Sequence, residues 1–158
     1  MSDAIQRVPA PPVMPPRWVF RAFNPFASFL LRLGVPMGFN GFLTVRGRKS
    51  GLPRTTPVAI IEHSSRRWVW APWGDVQWVR NLRAAGRATI TVRRREIEVV
   101  ANELDEGERV AFFRDVLRPV VQGIPGGMWF IRTVDGVDLH RPEEAAVGRR
   151  VFELREAE

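Results

Sequence analysis

The segment VRGRKSGLPRTTP, residues 45–57, concentrates the residue types that bind anions. The chain has 24 basic residues, and Lys49 in this segment is the only lysine among them. Arg48, Lys49 and Arg54 can converge on one anion, to which Ser50 adds a hydroxyl group. Lysine is a compact point charge that suits a phosphate, whereas arginine favours flat bidentate contacts. The segment therefore predicts a phosphate-binding turn, and the alternative is a solvated turn that carries basic side chains.

Two glycines frame this turn. Gly47 and Gly51 allow the backbone to turn sharply and to approach a ligand closely. The glycines lie four residues apart, and no Lys-Ser or Lys-Thr pair follows the second one. The segment is therefore not a Walker-type nucleotide loop.

A second constellation, APWGDVQWVRNL, combines aromatic residues with the start of a helix. Trp73 and Trp78 flank the predicted helix N-terminus, which attracts anions and leaves free N–H donors. The two tryptophans predict a wall for a planar heterocycle, and the alternative is that both lie in the core. Asn81 follows Trp78 by one turn, where it would either contact a ligand or hold a nearby loop.

Composition excludes several kinds of chemistry. The chain has no cysteine, so it offers no disulfide, thiolate nucleophile or thiolate metal site. Its two histidines, His63 and His140, have no accompanying ligands or nucleophile motif, and we predict no metal site.

The net charge of +7 favours an anionic partner. The preference for arginine over lysine is also typical of codon usage in GC-rich genomes. The run VRRRE is a candidate for nucleic-acid contact, but side chains alternate along a strand, and no nucleic-acid-binding motif accompanies the run. We interpret it as a solvated edge and expect no nucleic-acid partner.

The chain reads as one domain of mainly β structure (α+β), preceded by a flexible Pro-rich arm at 1–16. Strands are predicted for GFLTVRG, PRTTPVAIIEH, RRWVWAPW, the two halves of RATITVRRREIEVVANEL, and GRRVFELRE. Helices are predicted for GDVQWVRNLRAAG, with Asp75 as N-cap and Gly86 as its end, and for EGERVAFFRDVLRPVVQG. Antiparallel strands with short inserted helices favour a small barrel over 17–158.

An aromatic helical region, Trp18 to Leu33, begins this domain. We expect it to pack on the core or on a partner subunit, with contact to a membrane surface as the alternative. Charged residues and a proline interrupt it, so it does not predict a membrane span. A cytoplasmic protein, with possible association with a membrane, is the expectation.

Taken together, GRKSGLPRTTP and WVRNL resemble the deazaflavin-dependent nitroreductase family of actinobacteria. The resemblance covers about residues 39–115 and implies a split β-barrel of the FMN-binding type. It implies an oxidoreductase that transfers a hydride from reduced coenzyme F-420, an 8-hydroxy-5-deazaflavin, to a quinone, an enone or a nitroaromatic. FMN is the alternative cofactor, and a coenzyme- or lipid-binding protein without activity is the alternative function.

The resemblance also implies a role for each motif residue. Arg48, Lys49, Ser50, Gly51 and Arg54 would hold the phosphate and glutamyl tail of the coenzyme. The strand that leaves the turn would run beside the deazaflavin ring and offer main-chain donors, and the helix would complete the pocket. The further expected binding residues are Thr56, Pro57, Val58, Ala59, Trp73, Trp78 and Asn81. The partners implied are a lipophilic acceptor and, as in many split barrels, a second copy of the chain.

Overall fold

A computed structural model describes residues 40–158. The predicted arm (1–16) and the aromatic helix (Trp18 to Leu33) lie outside the described residues. Within residues 40–158, no helix is both long enough and apolar enough to cross a membrane.

Seven antiparallel strands form one sheet, in the order β2-β1-β5-β6-β7-β4-β3. The strands are β1 (Gly41–Arg46), β2 (Pro53–Val58), β3 (Ile60–His63), β4 (Arg66–Ala71), β5 (Arg87–Val92), β6 (Arg95–Glu103) and β7 (Arg150–Glu156). Five predicted strand regions are confirmed in position. The β-branched runs form them because branched side chains pack well on a pleated surface.

The sheet is curled, because β2 and β3 lie at its opposite ends although only Ala59 separates them in the chain. The prediction of a single strand over PRTTPVAIIEH is therefore wrong. Val58 pairs with Gly41 on β1, whereas Ile60 pairs with Val69 on β4. A chain that passes from one edge of a sheet to the other in two residues requires the edges to meet, which makes the sheet a split β-barrel.

Asn40 holds the two edges together. Its Oδ1 accepts a hydrogen bond from the N–H of Ile60 at 2.7 Å, and its Nδ2 donates to the carbonyl oxygen of Ile60 at 2.6 Å. The amide side chain thus pairs with Ile60 as a neighbouring strand residue would. The next position must be glycine, because a Cβ on Gly41 would lie 2.7 Å from the carbonyl oxygen of Thr91.

Five α-helices and one π-helical stretch complete the described part of the chain. They are α1 (Gln77–Ala85), α2 (Glu106–Ala111), the π-helix (Phe112–Leu117), α3 (Arg118–Gln122), α4 (Gly127–Val134) and α5 (Pro142–Ala146). The predicted helix over EGERVAFFRDVLRPVVQG is confirmed, but its middle is a π-helix, which the sequence did not indicate. Helices α4 and α5 were not predicted.

Two apolar cores lie on opposite faces of the sheet. The first fills the barrel and includes Leu43, Ile90 and Phe152 of the strands together with Val79 and Leu82 of α1. The second lies between the outer face of β4 and β7 and the helices that follow β6, and it includes Trp68, Trp70 and Phe113. Helix α1 therefore closes the barrel, and the later helices form a separate layer.

Arg149 joins the ends of two helices in this layer. Its guanidinium donates to the carbonyl oxygen of Ala145 at 3.0 Å and to those of Asp135 and Gly136 at 3.3 Å. Burial raises the pKa of Asp135 to about 6, and the positive charge of Arg149 opposes that rise. Both side chains thus belong to the helical layer and not to the barrel.

Candidate functional site

The β1–β2 hairpin carries the first motif at its turn, as predicted. The N–H of Gly47 donates to the carbonyl oxygen of Leu52 at 2.8 Å, and the N–H of Gly51 donates to that of Gly47 at 2.9 Å. Gly51 has a φ of 70°, which is the left-handed region that glycine adopts without strain. Ser50 Oγ accepts a hydrogen bond from the N–H of Leu52 at 3.3 Å. The turn is therefore shaped by its own main chain, and Ser50 takes part in that shape.

Arg48 connects this turn to helix α1. Its guanidinium Nη1 donates to Oδ1 of Asn81 at 2.9 Å and to Oε1 of Gln77 at 3.0 Å. Its main-chain N–H also donates to Asn81 Oδ1, at 3.2 Å. Asn81 is only 7% exposed, so its position is set by the packing of α1. The structure thus brings the two sequence motifs together, and the carboxamide of Asn81 holds the loop.

The hairpin carries a net positive charge. Arg46, Lys49 and Arg54 are exposed, and their side chains make no hydrogen bond or ion pair with any residue in 40–158. No Asp or Glu occurs from residue 41 to residue 61. The partners of Arg48, by contrast, are neutral amides, which orient its guanidinium without cancelling its charge. Four cations are therefore presented here without a carboxylate from the same segment.

Many of the other arginines in the described chain are neutralised by carboxylates. Eight of them form ion pairs with carboxylates: Arg66, Arg67, Arg83, Arg93, Arg114, Arg141, Arg150 and Arg155. In the VRRRE run, Arg93 and Arg94 form the exposed β5–β6 turn with φ values of 48° and 65°, and Arg93 forms an ion pair with Glu62 at 3.3 Å, whereas Arg94 and Arg95 form none with a described residue. Arg80, Arg87, Arg94, Arg95 and Arg132 are also exposed and form no ion pair with a described residue, so what sets the β1–β2 hairpin apart is several such cations in one segment without a carboxylate.

Strand β2 separates the candidate residues that follow the turn. Val58 is buried in the barrel, and side chains alternate along a strand, so Arg54 and Thr56 lie on the same face as Val58. Pro57 lies on the opposite face, and Ala59 packs against the second core. Among the described strands β2 is an edge, which leaves main-chain groups on its outer side without a strand partner.

The two candidate tryptophans lie at the start of α1. Trp78 packs on the barrel core, with its ring centroid 6.3 Å from that of Phe152. Trp73 is half-buried in the turn that precedes the helix. The structure therefore places Trp78 against the core, as the alternative interpretation had it, while leaving part of both rings accessible.

Asp75 does not cap α1, contrary to the prediction. The N-cap is Val76, and no side chain caps the helix. Asp75 instead accepts hydrogen bonds from Arg83 and Arg150, each at 3.0 Å, and Arg83 also binds Glu103 at 2.6 Å. Charged residues of β6 and β7 thus engage Asp75 and Arg83, and the carboxylate of Asp75 is used in these ion pairs instead of a local cap. Gly86 ends the helix with a φ of 70°, as predicted.

Sequence reasoning missed Gln77 and the Arg83 network as parts of the site. Gln77 lies four residues before Asn81, so both face the same side of α1. That spacing was a signal for Gln77. No local signal identified Arg150, which is distant in sequence from its partners.

A family model matches residues 32–123, more than half of the chain, and its description is F420H(2)-dependent quinone reductase. The chain belongs to this family. It is therefore an oxidoreductase whose cofactor is coenzyme F-420, and the matched region contains the hairpin, α1 and the residues that join them. Family membership decides between coenzyme F-420 and FMN in favour of the former.

One solved structure that is similar to this F-420-dependent reductase has a TM-score of 0.50, and a second is similar with a lower TM-score. A conserved hypothetical protein from Mycobacterium tuberculosis is 18% identical, with a TM-score of 0.50 over 94% of this chain and 84% of that chain. An F420-H2 dependent reductase is 18% identical, with a TM-score of 0.49 over 73% of this chain and 92% of that chain. No curated protein sequence matches the chain.

The residues of the hairpin fit the anionic part of such a coenzyme. A phosphate and a glutamyl tail carry several negative charges, and Arg46, Lys49 and Arg54 offer charge that no described residue neutralises. Neither the hairpin nor α1 contains an Asp, Glu or His, so neither offers a carboxylate or an imidazole as an acid or a base.

The contact between Asn81 and Arg48 can be tested by removing it. We expect Asn81→Ala to lower the free energy of unfolding by about 1–2 kcal/mol, because two hydrogen bonds at a buried acceptor are lost. Gln77→Ala removes only an exposed bond to the same guanidinium and should cost less than about 0.5 kcal/mol. Urea denaturation of both variants measures the difference, and equal losses would contradict the assigned role of Asn81.

The Arg83 network predicts a dependence of stability on pH. Hydrogen bonds from Arg83 lower the pKa of Asp75 and of Glu103 from their usual values of 3.8 and 4.5. Their contribution is therefore complete above about pH 4.5 and is lost as the pH falls through the lower folded-state pKa values. The stability difference between wild type and Arg83→Gln should be constant from about pH 7 to pH 5 and narrow in more acidic solution.

Urea denaturation at a series of pH values measures that difference. Arg80→Gln is the matched control, because Arg80 lies on the same helix, is exposed and makes no ion pair with a described residue. Its stability difference from wild type should not vary with pH. If the stability difference between wild type and Arg83→Gln stays unchanged down to about pH 3, the network does not stabilise the fold through these carboxylates.

Proposed function

We propose that the β1–β2 hairpin binds the phosphate and glutamyl tail of coenzyme F-420 through Arg48, Lys49, Ser50, Gly51 and Arg54. The observation that carries this proposal is the absence of any partner for Lys49 and Arg54 in residues 40–158. Arg46 adds a third exposed cation of the same kind. Eight other arginines of the described chain meet carboxylates, whereas these three hairpin cations share a segment, residues 41–61, that contains no Asp or Glu.

The remaining candidates would contact the ring of the coenzyme. Thr56 and Val58 lie on the barrel face of β2, and the free edge of that strand offers main-chain groups beside Pro57 and Ala59. Trp73, Trp78 and Asn81 would close the site from the side of α1. In this arrangement the chain positions its ligand by charge at one end and by apolar contact at the other.

When bound, the reduced coenzyme supplies a hydride, and the acceptor takes up that hydride together with a proton from solvent. A quinone is the acceptor that the family description favours. Reduction of enones or nitroaromatics, expected from the resemblance to actinobacterial nitroreductases, is a further proposal, as are a cytoplasmic location and a homodimer. The protein itself excludes water and holds the two reactants in register.

Fluorescence titration of the oxidised coenzyme tests the binding site. We expect Lys49→Ala and Arg54→Ala each to weaken binding by about 10- to 100-fold, since a charge-assisted hydrogen bond contributes about 1.5–3 kcal/mol. Arg132→Ala, on exposed α4, is the control that removes one charge from outside the hairpin. Equal affinity of all four proteins would exclude the hairpin as the phosphate site.

Steady-state turnover tests the acceptor class. The intact protein, with the reduced coenzyme, should reduce a short-chain naphthoquinone, and added FMN should neither replace the coenzyme nor compete with it. A panel that includes an enone and a nitroaromatic then ranks the acceptors by kcat/KM. Tight coenzyme binding without turnover of any acceptor in the panel would instead favour a binding protein without activity.

A further inference from the structure

Helix α4 and the turn before it expose four large apolar side chains. The exposed fractions are 71% for Trp129, 55% for Ile124, 50% for Val134 and 39% for Phe130. We call these four residues the α4 patch. Single exposed apolar residues are ordinary on protein surfaces, but a cluster that contains Trp and Phe marks an interaction site.

The α4 patch is separate from the face of α4 that supports the fold. Ile131 is buried in the second core, and Met128 packs against it. Trp129 and Phe130 are adjacent to these positions but point to other sides of the helix, because successive helical residues are rotated by about 100°. The helix therefore has one apolar face that packs on the core, and it exposes the large apolar side chains of Trp129, Phe130 and Val134 on its other sides.

The charged residues in the stretch of chain that carries the α4 patch are arginines. From residue 116 to residue 134 the chain has no Asp or Glu, and its charged residues there are Arg118 and Arg132. Arg132 is exposed on α4 itself and forms no ion pair with a described residue. The carboxylates nearest in sequence, Asp115 and Asp135, lie outside this stretch. Residues 116–134 thus combine aromatic, aliphatic and cationic side chains and contain no carboxylate, and Asp135 follows directly after Val134.

We infer that the α4 patch docks on the surface of an anionic lipid bilayer. Trp and Phe partition into the headgroup region, where an apolar ring can be buried while basic residues beside it meet lipid phosphates. A second copy of the chain is the less suitable occupant, because it would bring together two surfaces of the same sign on proteins of net charge +7. The inference goes beyond the proposed reaction and does not depend on it.

Docking at this place would have a consequence for the substrate. The α4 patch belongs to the helical layer that packs on β4 and β7, and none of its residues is part of the β1–β2 hairpin. A lipid-dissolved acceptor would be concentrated near the protein, whereas a water-soluble acceptor would gain nothing.

Sedimentation with vesicles tests this inference on the intact chain. The probe is a vesicle of phosphatidylcholine with about 30% phosphatidylglycerol, which carries negative charge. Vesicles of phosphatidylcholine alone are the uncharged comparison. We expect wild type to bind the anionic vesicles more tightly, and Trp129→Ser/Phe130→Ser to bind them on the order of tenfold more weakly. Val100→Ser is the matched control, because Val100 is exposed on β6 and lies outside the α4 patch.

A second measurement locates the contact at one residue. With brominated lipids, the tryptophan fluorescence of bound wild type should be quenched, and Trp129→Phe should still sediment with vesicles but show less quenching. Turnover of a soluble quinone should be the same in wild type and in the double variant. Failure of the reaction itself would affect all variants alike and is thus distinguishable from failure of the docking.

Three results would overturn the inference. Unchanged vesicle binding by the double variant would place any lipid contact elsewhere in the chain. A wild-type dimer that dissociates in the double variant, without lipid binding by either protein, would assign the α4 patch to a second copy. A large loss of thermal stability in the double variant, with unchanged lipid binding, would show that the chain itself covers the patch, for instance with residues 1–39.

Discussion

The site depends on the contact between Arg48 and Asn81. A buried carboxamide accepts hydrogen bonds from both the main chain and the guanidinium of Arg48, so the basic turn is fixed against the helix that closes the barrel. Because the acceptor is neutral, the contact orients the cation without consuming its charge. A carboxylate in the same place would hold the turn equally well and would remove much of its attraction for an anion.

This contact is possible because the barrel brings its parts together at long range. Asn40 pairs with Ile60 and thereby joins the two ends of the curled sheet. Arg83 attaches α1 to Glu103 of β6 and to Asp75, and Asp75 in turn pairs with Arg150 at the start of β7. In each of these connections, a polar or charged group on one element binds a complementary group on another. The helix is therefore held from several sides, and the hairpin turn has a fixed surface to bind.

Many features of the fold were predictable because their signals are local. The hairpin turns, the end of α1 at Gly86 and the strand pairs around residues 64–65 and 93–94 all follow from residues within a few positions of each other. The predictions that failed depend on contacts with residues that are further away in the chain. Asp75 is drawn away from its capping position by Arg83 and Arg150, and Ala59 divides one apparent strand between two edges of the sheet.

The sequence by itself determined the chemistry of the site. A basic segment without carboxylates, with glycines that permit a tight turn, predicts a positively charged hairpin, and the binding of an anion there is the proposal built on it. Only the tertiary structure decided which cation is held and which are free to bind. That distinction depends on Asn81, 33 positions from Arg48, and on α1 packing against β1. The tertiary structure also decided that α4 exposes large apolar side chains, because hydrophobicity alone does not show which side of a helix the core will cover.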